Sequence, residues 1–378
     1  MAQLDRRQFL GAGAGAGGAA VFSSVLTSQI AAAAPQNVRI GFIGVGNRGT
    51  VHVRNIVKIP GVPVTAVCDI QPDHLRRAQE IISAAGQPEP AATADWRQLL
   101  QRDDVDAVVS SLPCDLHAAC YLDTLAAGKD LYGEKPMCIT VADCDKVAAA
   151  AKKSDRIVQI GFQRRADPRF IESMPQVHGG ELGRIVEGRI QWSNSWGPLA
   201  DWFGKRERSG DWMVEQACHN WDVMNWANQG VPIRAMGLGH NDLFRDKQPD
   251  RNVHDYYSAI VQYPNGCIVN MLHSWVPSNS YNGEHSRLMG TRGTADFDAG
   301  VFSYRSELKL PNRKAYQYEG PIDNSLMALA AFVDSVRTRK PPVANVDHGR
   351  DAVLACLLVR EAVYTGRVVT LDEIKTKA

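Results

Sequence analysis

"NVRIGFIGVGNRGTVHVRNIVKI", residues 37–59, passes from a short β-branched run, Val38 to Ile43, through Gly44-Val45-Gly46-Asn47-Arg48-Gly49 into apolar residues spaced as on a helix, Val53, Ile56 and Val57. That change of period reads as strand, glycine turn, helix. Gly44 permits the tight turn, Gly46 lets the backbone approach a pyrophosphate, and Gly49 lets the helix pack closely on the strand. The N–H groups of the first helical turn, those of Asn47 and Arg48 among them, then face the anion. A G-x-G-x-x-G pattern is weak alone and needs this context. "VPVTAVCDI" (62–70) supplies a second strand, with Asp69 twenty residues after Gly49. A carboxylate there accepts hydrogen bonds from the adenosine ribose and repels a 2′-phosphate, and Ile70 offers that phosphate no positive charge, so NAD is favoured over NADP. The competing reading makes Asp69 a cap for the helix that begins "PDHLRRAQEII".

The alternation continues with helices at about 73–85, 95–100 and 116–128 and strands in "DAVVSSLP" and "DLYGEKP". Repeated β-α units predict a doubly wound parallel sheet, an α/β Rossmann domain over 37–155. Ligands bind at the carboxyl ends of such strands, where Pro113, His117, Glu134 and Lys135 fall, so these join the expected cofactor contacts. After a helix at 141–153 the pattern changes. "GRIVEGRIQWSNSW", "RAMGLGH", "DYYSAIVQYPNGCIVNMLHSW" and "HSRLMGTRGTADFDAG" read as strands with Asn-Gly and Gly turns, giving an α+β substrate domain over 156–322. "NSLMALAAFVDSVRTRK" and "GRDAVLACLLVREAVYTG" are amphipathic helices in a segment, 323–378, expected to pack back on the core.

Gly44-x-Gly46-x-x-Gly49, Asp69, Glu134-Lys135-Pro136, "QIGFQRRADPRF" (159–170) and Glu215-x-x-x-His219-x-x-Asp222, in this order, resemble the glucose-fructose oxidoreductase, inositol dehydrogenase and MocA family over about residues 37–370. The resemblance implies a C-terminal domain built on an open, mainly antiparallel sheet that carries the substrate and often an oligomer interface. It also implies that Lys135 lies beside nicotinamide and substrate, orienting the substrate or relaying its proton, and that His219 is the general base. The family's helical pair is Asp-x-x-x-His; here Glu215 is one methylene longer, which leaves its role open between tuning the histidine and touching substrate.

"GDWMVEQACHNWDVMNW" (210–226), read as one helix, puts Glu215, His219 and Asp222 on one face. The residue types suit a metal site, an acid/base pair or a satisfied piece of core. No His-Glu-x-x-His pattern accompanies them, so no metal is expected. Removing hydride from a carbinol requires its hydroxyl proton to leave too, for which an imidazole suits neutral pH. A lysine beside oxidised nicotinamide hydrogen-bonds the developing alkoxide, and the neighbouring positive charge is expected to lower its pKa. Six tryptophans, 192, 196, 202, 212, 221 and 226, fall near the proposed base. Trp196, Trp202 and Trp212 are assigned to stacking on sugar C–H faces, Trp221 and Trp226 to the packed helix. Arg164, Arg165 and Asp222 complete the expected substrate contacts.

The 378 residues, 44% hydrophobic and 22% charged, suffice for two domains with cores. With 42 basic and 41 acidic residues and no long Lys/Arg run, a nucleic acid partner is excluded. Eight cysteines without a Cys-x-x-Cys pair predict buried free thiols. "LDRRQFLGAGAGAGGAAVFSSVLTSQIAAAAP", with Arg6-Arg7 before Phe9-Leu10, resembles a twin-arginine export signal (1–34) cleaved near Ala32–Ala34; it is too weakly apolar to stay inserted in a membrane. A periplasmic location follows as an expectation. Since cytoplasmic NAD does not reach that compartment, the cofactor must stay bound, and turnover must return it to its starting state. Oxidising one sugar and reducing another does so. So does oxidising and re-reducing one glycoside around its cleavage, with His219, Glu215 or Tyr256 as the base that removes the proton next to the transient carbonyl. A carbohydrate-binding protein without catalysis is the third possibility.

Overall fold

The computed structural model describes residues 37–195, 197, 201–277 and 283–376. The proposed export signal and Trp196 lie outside them.

Residues 38–376 fold around two sheets. In the first half β1 (Ile40–Ile43), α1 (Asn47–Ile56), β2 (Val64–Cys68), α2 (Pro72–Ala84), β3 (Ala91–Thr93), α3 (Trp96–Leu100), β4 (Ala107–Ser110), α4 (His117–Ala126), β5 (Asp130–Gly133), α5 (Val141–Lys153) and β6 (Val158–Ile160) alternate. The six strands pair in parallel in the order β3-β2-β1-β4-β5-β6. All four residues of each of β1, β4 and β5 are buried, as a parallel sheet covered on both faces requires. The order reverses between β1 and β4, and the crevice at their carboxyl ends is where such sheets bind ligands.

The second half contributes α6 (Pro168–His178), β7 (Ile185–Ser193), α7 (Arg206–Ser209), α8 (Trp212–Glu215), α9 (Cys218–Asn228), β8 (Arg234–His240), β9 (Tyr256–Gln262), β10 (Ile268–Ser274), β11 (Gly283–Gly290), β12 (Gly293–Asp296), β13 (Val301–Tyr304) and β14 (Arg313–Lys314). After α10 (Asn324–Thr338) and α11 (Val346–Thr365), β15 (Val369–Thr370) adds a last strand and α12 (Leu371–Thr376) follows. The nine-stranded order is β14-β13-β12-β11-β7-β10-β9-β8-β15, antiparallel except where β10 meets β7. Strands β9 and β10 alternate exposed and buried, so the sheet has one packed and one open face. The packed face takes α9, with α11 beside it.

Helix α10 closes the first sheet instead of the second. Ala328, Leu329, Phe332 and Val333 share a buried cluster with Ile40, Phe42, Val109 and Tyr132. Helix α11 is buried along most of its length in the cluster that also holds Met137, Val147, Trp221 and Val261, so it joins both halves. All eight cysteines are buried and free.

Candidate active site

The glycine turn is sterically committed. Gly44 has φ 81°, and a Cβ on Gly49 would lie 2.1 Å from the Gly44 carbonyl oxygen. Gly46 caps α1 with no side-chain hydrogen bond, and the first turn carries no acidic residue, so its N–H groups remain available to an anion. Asp69 closes the turn from the next strand. Its Oδ2 accepts from the Val45 N–H at 2.9 Å, and its Oδ1 accepts from the Gln71 N–H at 2.9 Å with His74 Nδ1 at 3.2 Å. A carboxylate has about four acceptor positions, so it can hold the turn and still accept from a ribose. These residues fit a dinucleotide.

Three expected cofactor contacts have other tasks in the structure. Glu134 is buried and accepts from Arg48 Nε and His52 Nε2, each at 2.7 Å, and from the Lys135 N–H at 3.0 Å. Burial pushes this carboxyl up, but Arg48, then His52 and Lys135, hold it well below the usual range. Glu134 is therefore an anchor that ties the glycine turn to the Lys135 loop. His117 is buried with Nδ1 2.7 Å from Pro136 O and Nε2 2.9 Å from Leu112 O, occupying both ring nitrogens within the protein. Pro113 caps the short helical turn Cys114–Leu116 at the end of β4. Besides Glu134, Arg48 reaches Ser325, with Nη1 3.1 Å from its Oγ, and Nη2 is buried without a partner.

The segment 210–226 is two helices where one was expected. Asp211 takes φ 73° and caps α8 through the Met213 N–H, held in turn by the Tyr364 hydroxyl at 2.6 Å. The helix ends at Glu215, where the Ala217 N–H bonds the Trp212 carbonyl five residues back. Gln216 fills the break, its Oε1 3.1 Å from His273 Nε2 and 3.3 Å from Trp275 Nε1. The three polar groups therefore go to different places. Glu215 meets Lys135, whose Nζ donates to Glu215 Oε1 at 2.5 Å and to Glu215 O at 2.7 Å. Asp222 meets Arg165 in a buried, forked pair at 2.9–3.0 Å. His219, in the first turn of α9, is buried with Nδ1 unpartnered.

The electrostatics separate base from cation. Burial, then Lys135 and Arg164, hold the His219 imidazole well below its ordinary value, so it is neutral at pH 7. Among the protein's own groups, burial lowers the Lys135 pKa, but Glu215, Cys218 and Glu134 carry it above the ordinary lysine value. The lysine is a fixed ammonium. Two of its three donors are spent on Glu215, leaving one for a ligand.

Arg165 and Asp222, expected at the substrate, are 6% and 2% exposed and face each other, with the guanidinium 4.7 Å from the Trp226 ring. Arg165→Met is expected to cost about 3–5 kcal/mol by stranding Asp222, read in urea unfolding, with Arg165→Met/Asp222→Leu recovering most of it. Trp212 is fully buried against His273 and Trp275 and belongs to the core. Trp202 is half-buried against Phe203. Tyr256 lies on the open face of β9 beside His240, whereas Tyr257 points inward. The aromatic beside the base is Trp192, 6.2 Å from the His219 ring and 5.8 Å from Arg164 Cζ. Glu284, paired with Arg164 and with Asn220 Nδ2, sits opposite Trp192 on β11. Neither Trp192 nor Glu284 was assigned to the substrate from the sequence; strand alternation on β7, which puts Ile190 and Trp192 on the packed face, was the available signal.

Buried neutral histidines give the fold an acid limit. His52, His219 and His273 are all lowered by burial, and His348 falls to about 4. Below the ordinary value of 6.5 the unfolded chain binds protons that the folded chain refuses. Stability is thus full above 6.5 and falls as pH drops through the interval below it, about 6.5 to 4 for His348. His348 Nδ1 also accepts from the Asn345 N–H at the start of α11, a bond that protonation removes. Melting temperature measured from pH 8 to pH 4 is expected to decline steadily below about 6.5.

The chain belongs to the GFO/IDH/MocA oxidoreductases. The signature described as "Oxidoreductase family, NAD-binding Rossmann fold" matches residues 38–162, and that of the GFO/IDH/MocA C-terminal domain matches residues 176–296. Among similar proteins, the myo-inositol 2-dehydrogenase of Thermotoga maritima is 24% identical over 342 residues, 89% of this chain and 99% of that protein. A glycosyl hydrolase family 109 protein of Shewanella pealeana is 32% identical over 175 residues; the match spans 41% of this chain and 38% of that relative. Levoglucosan dehydrogenase in complex with NADH shares the fold at a TM-score of 0.78 and 18% identity, over 89% of this chain and 99% of the other. The protein is thus an NAD-binding oxidoreductase.

Proposed function

We propose that the protein oxidises a hydroxyl of a sugar or polyol with a tightly held NAD. The observation that carries this is a neutral, buried His219 with no hydrogen-bond partner at Nδ1, close enough to the Lys135 ammonium to feel its charge. Bound NAD supplies the acceptor for the hydride leaving the carbinol carbon. The hydroxyl proton goes to the neutral His219 imidazole, and the spare Lys135 N–H stabilises the oxygen as its charge develops. Glu215 holds Lys135 in place. Inositol and levoglucosan dehydrogenases among the relatives support a polyhydroxylated substrate.

A second reading, a redox-neutral glycosidase, is favoured by the glycosyl hydrolase relatives. In it the same oxidation acidifies the neighbouring C–H, a base removes that proton, the aglycone leaves, water adds, and the carbonyl is reduced again. Aryl glycosides distinguish the two. Aglycone release without net NADH, with solvent deuterium at the carbon next to the oxidised one, selects the glycosidase; net sugar oxidation without cleavage selects the dehydrogenase.

Export by the twin-arginine pathway to the periplasm belongs to this proposal, supported by Arg6-Arg7-Gln8-Phe9-Leu10. Retaining NAD for hours needs an off-rate of about 10⁻⁴ s⁻¹; with an on-rate of about 10⁶ M⁻¹s⁻¹ the Kd is about 0.1 nM. Mass spectrometry of the mature N-terminus tests the cleavage. The open sheet face is the proposed homo-oligomer contact. Met236, Leu238, Ile260 and Leu272 are 43–70% exposed on it and line a groove of ≈ 700 Å³. Sedimentation of Leu238→Glu at a smaller mass than wild type supports that contact; an unchanged mass removes it.

A further inference from the structure

We infer that the site around His219 accepts an uncharged polyhydroxylated ligand and that Asn194 is the residue that reads its hydroxyls. The inference rests on the sugar-oxidoreductase reading above and narrows its substrate class.

The first observation is charge matching. The cations that weigh most on His219 are Lys135, Arg164 and Arg48. Each already holds a carboxylate: Lys135 that of Glu215, Arg164 that of Glu284, Arg48 that of Glu134. The neighbouring Arg165 holds Asp222. Residues 198–200 and 278–282 contain no lysine or arginine. A ligand carboxylate or phosphate would bring a charge that no unpaired cation remains to balance in a desolvated site. A hydroxyl brings no charge.

The second observation is a set of idle polar atoms. Asn220 Oδ1, His219 Nδ1, Arg164 Nη1 and both Nδ2 and Oδ1 of Asn194 are buried without partners. Asn194 is 5% exposed. Its N–H bonds Ser274 O at 3.0 Å, extending the β7–β10 ladder one residue, and strand alternation puts it on the face that carries Trp192. Trp192 in turn lies against His219 and Arg164. A buried carboxamide with donor and acceptor both unused is costly until something pairs them. Two adjacent hydroxyls do so, one donating to Oδ1 and the other accepting from Nδ2. Asn194 would act in binding, and the proton and hydride would move elsewhere.

The test uses purified holoenzyme and matched sets of glucose, galactose and mannose, each as the neutral sugar, the uronate and the 6-phosphate. Reduction of bound nicotinamide is followed in single turnover. The neutral member of at least one set is expected to exceed both anions by about 100-fold or more in limiting reduction rate divided by half-saturating concentration. Asn194→Asp, which keeps the shape but loses the donors, and Asn194→Leu are each expected to raise the half-saturating concentration, and KM with it, about tenfold or more with a much smaller change in the limiting rate. Preference for a uronate or phosphate overturns the charge argument, and an unchanged KM in both folded variants overturns the role of Asn194. Failure of every carbohydrate, neutral or charged, to reduce the bound nicotinamide overturns the sugar-oxidoreductase reading itself and this inference with it.

Discussion

His219→Asn is expected to lower kcat by about 10²–10⁴-fold while the protein still folds and holds NAD. The asparagine approximates the volume of the imidazole near Phe162 and Trp192, so packing changes little, but no base remains for the hydroxyl proton. The pH profile gives the sharper reading. Burial, Lys135 and Arg164 hold the imidazole well below 6.5, so the acid limb of wild-type kcat/KM is expected below that value. That limb should vanish in the variant. An unchanged acid limb in His219→Asn would assign the proton to another group.

Lys135→Met is expected to do two separable kinds of damage. It removes the one Lys135 N–H left for the developing alkoxide, a loss of about 10²–10³-fold in kcat for a preorganised donor. It also leaves Glu215, whose side chain is 16% exposed, without its cation, at about 3–5 kcal/mol in stability. The double variant Lys135→Met/Glu215→Gln is expected to regain most of the stability and none of the activity. Glu215→Gln alone keeps a neutral acceptor for Lys135. If it oxidises sugars normally but no longer cleaves glycosides, the carboxylate belongs to an elimination step; equal loss of both activities would leave it as the lysine's partner.

Local signals made the nucleotide half legible. The strand-turn-helix at 38–57 is fixed by glycines whose Cβ has nowhere to go, and the helix at 141–153 appears with those bounds because Thr140 caps it and Ser154 ends it. The break at Gln216–Ala217 was not legible. Helical spacing across 210–226 is continuous in sequence, and the break depends on His273 and Trp275, which lie far along the chain. The same long-range pairing explains the reassigned residues. Asp222 finds Arg165, and His117 finds two carbonyls, through contacts that spacing along one helix does not encode. Trp212 reads as a loop tryptophan beside "KRERSGD", yet the strained Asp211 turns it into the core.

If His219 and Lys135 direct hydride from a carbohydrate to the bound nicotinamide, mixing wild-type holoenzyme with a panel of neutral sugars, polyols and glycosides gives a rise in the near-ultraviolet absorbance of reduced nicotinamide within one turnover for at least one compound. That rise is bounded by the amount of bound NAD and is slowed at least about 100-fold in His219→Asn. Wild-type protein that carries NAD and shows no reduction with any of these compounds would contradict that role of the two residues.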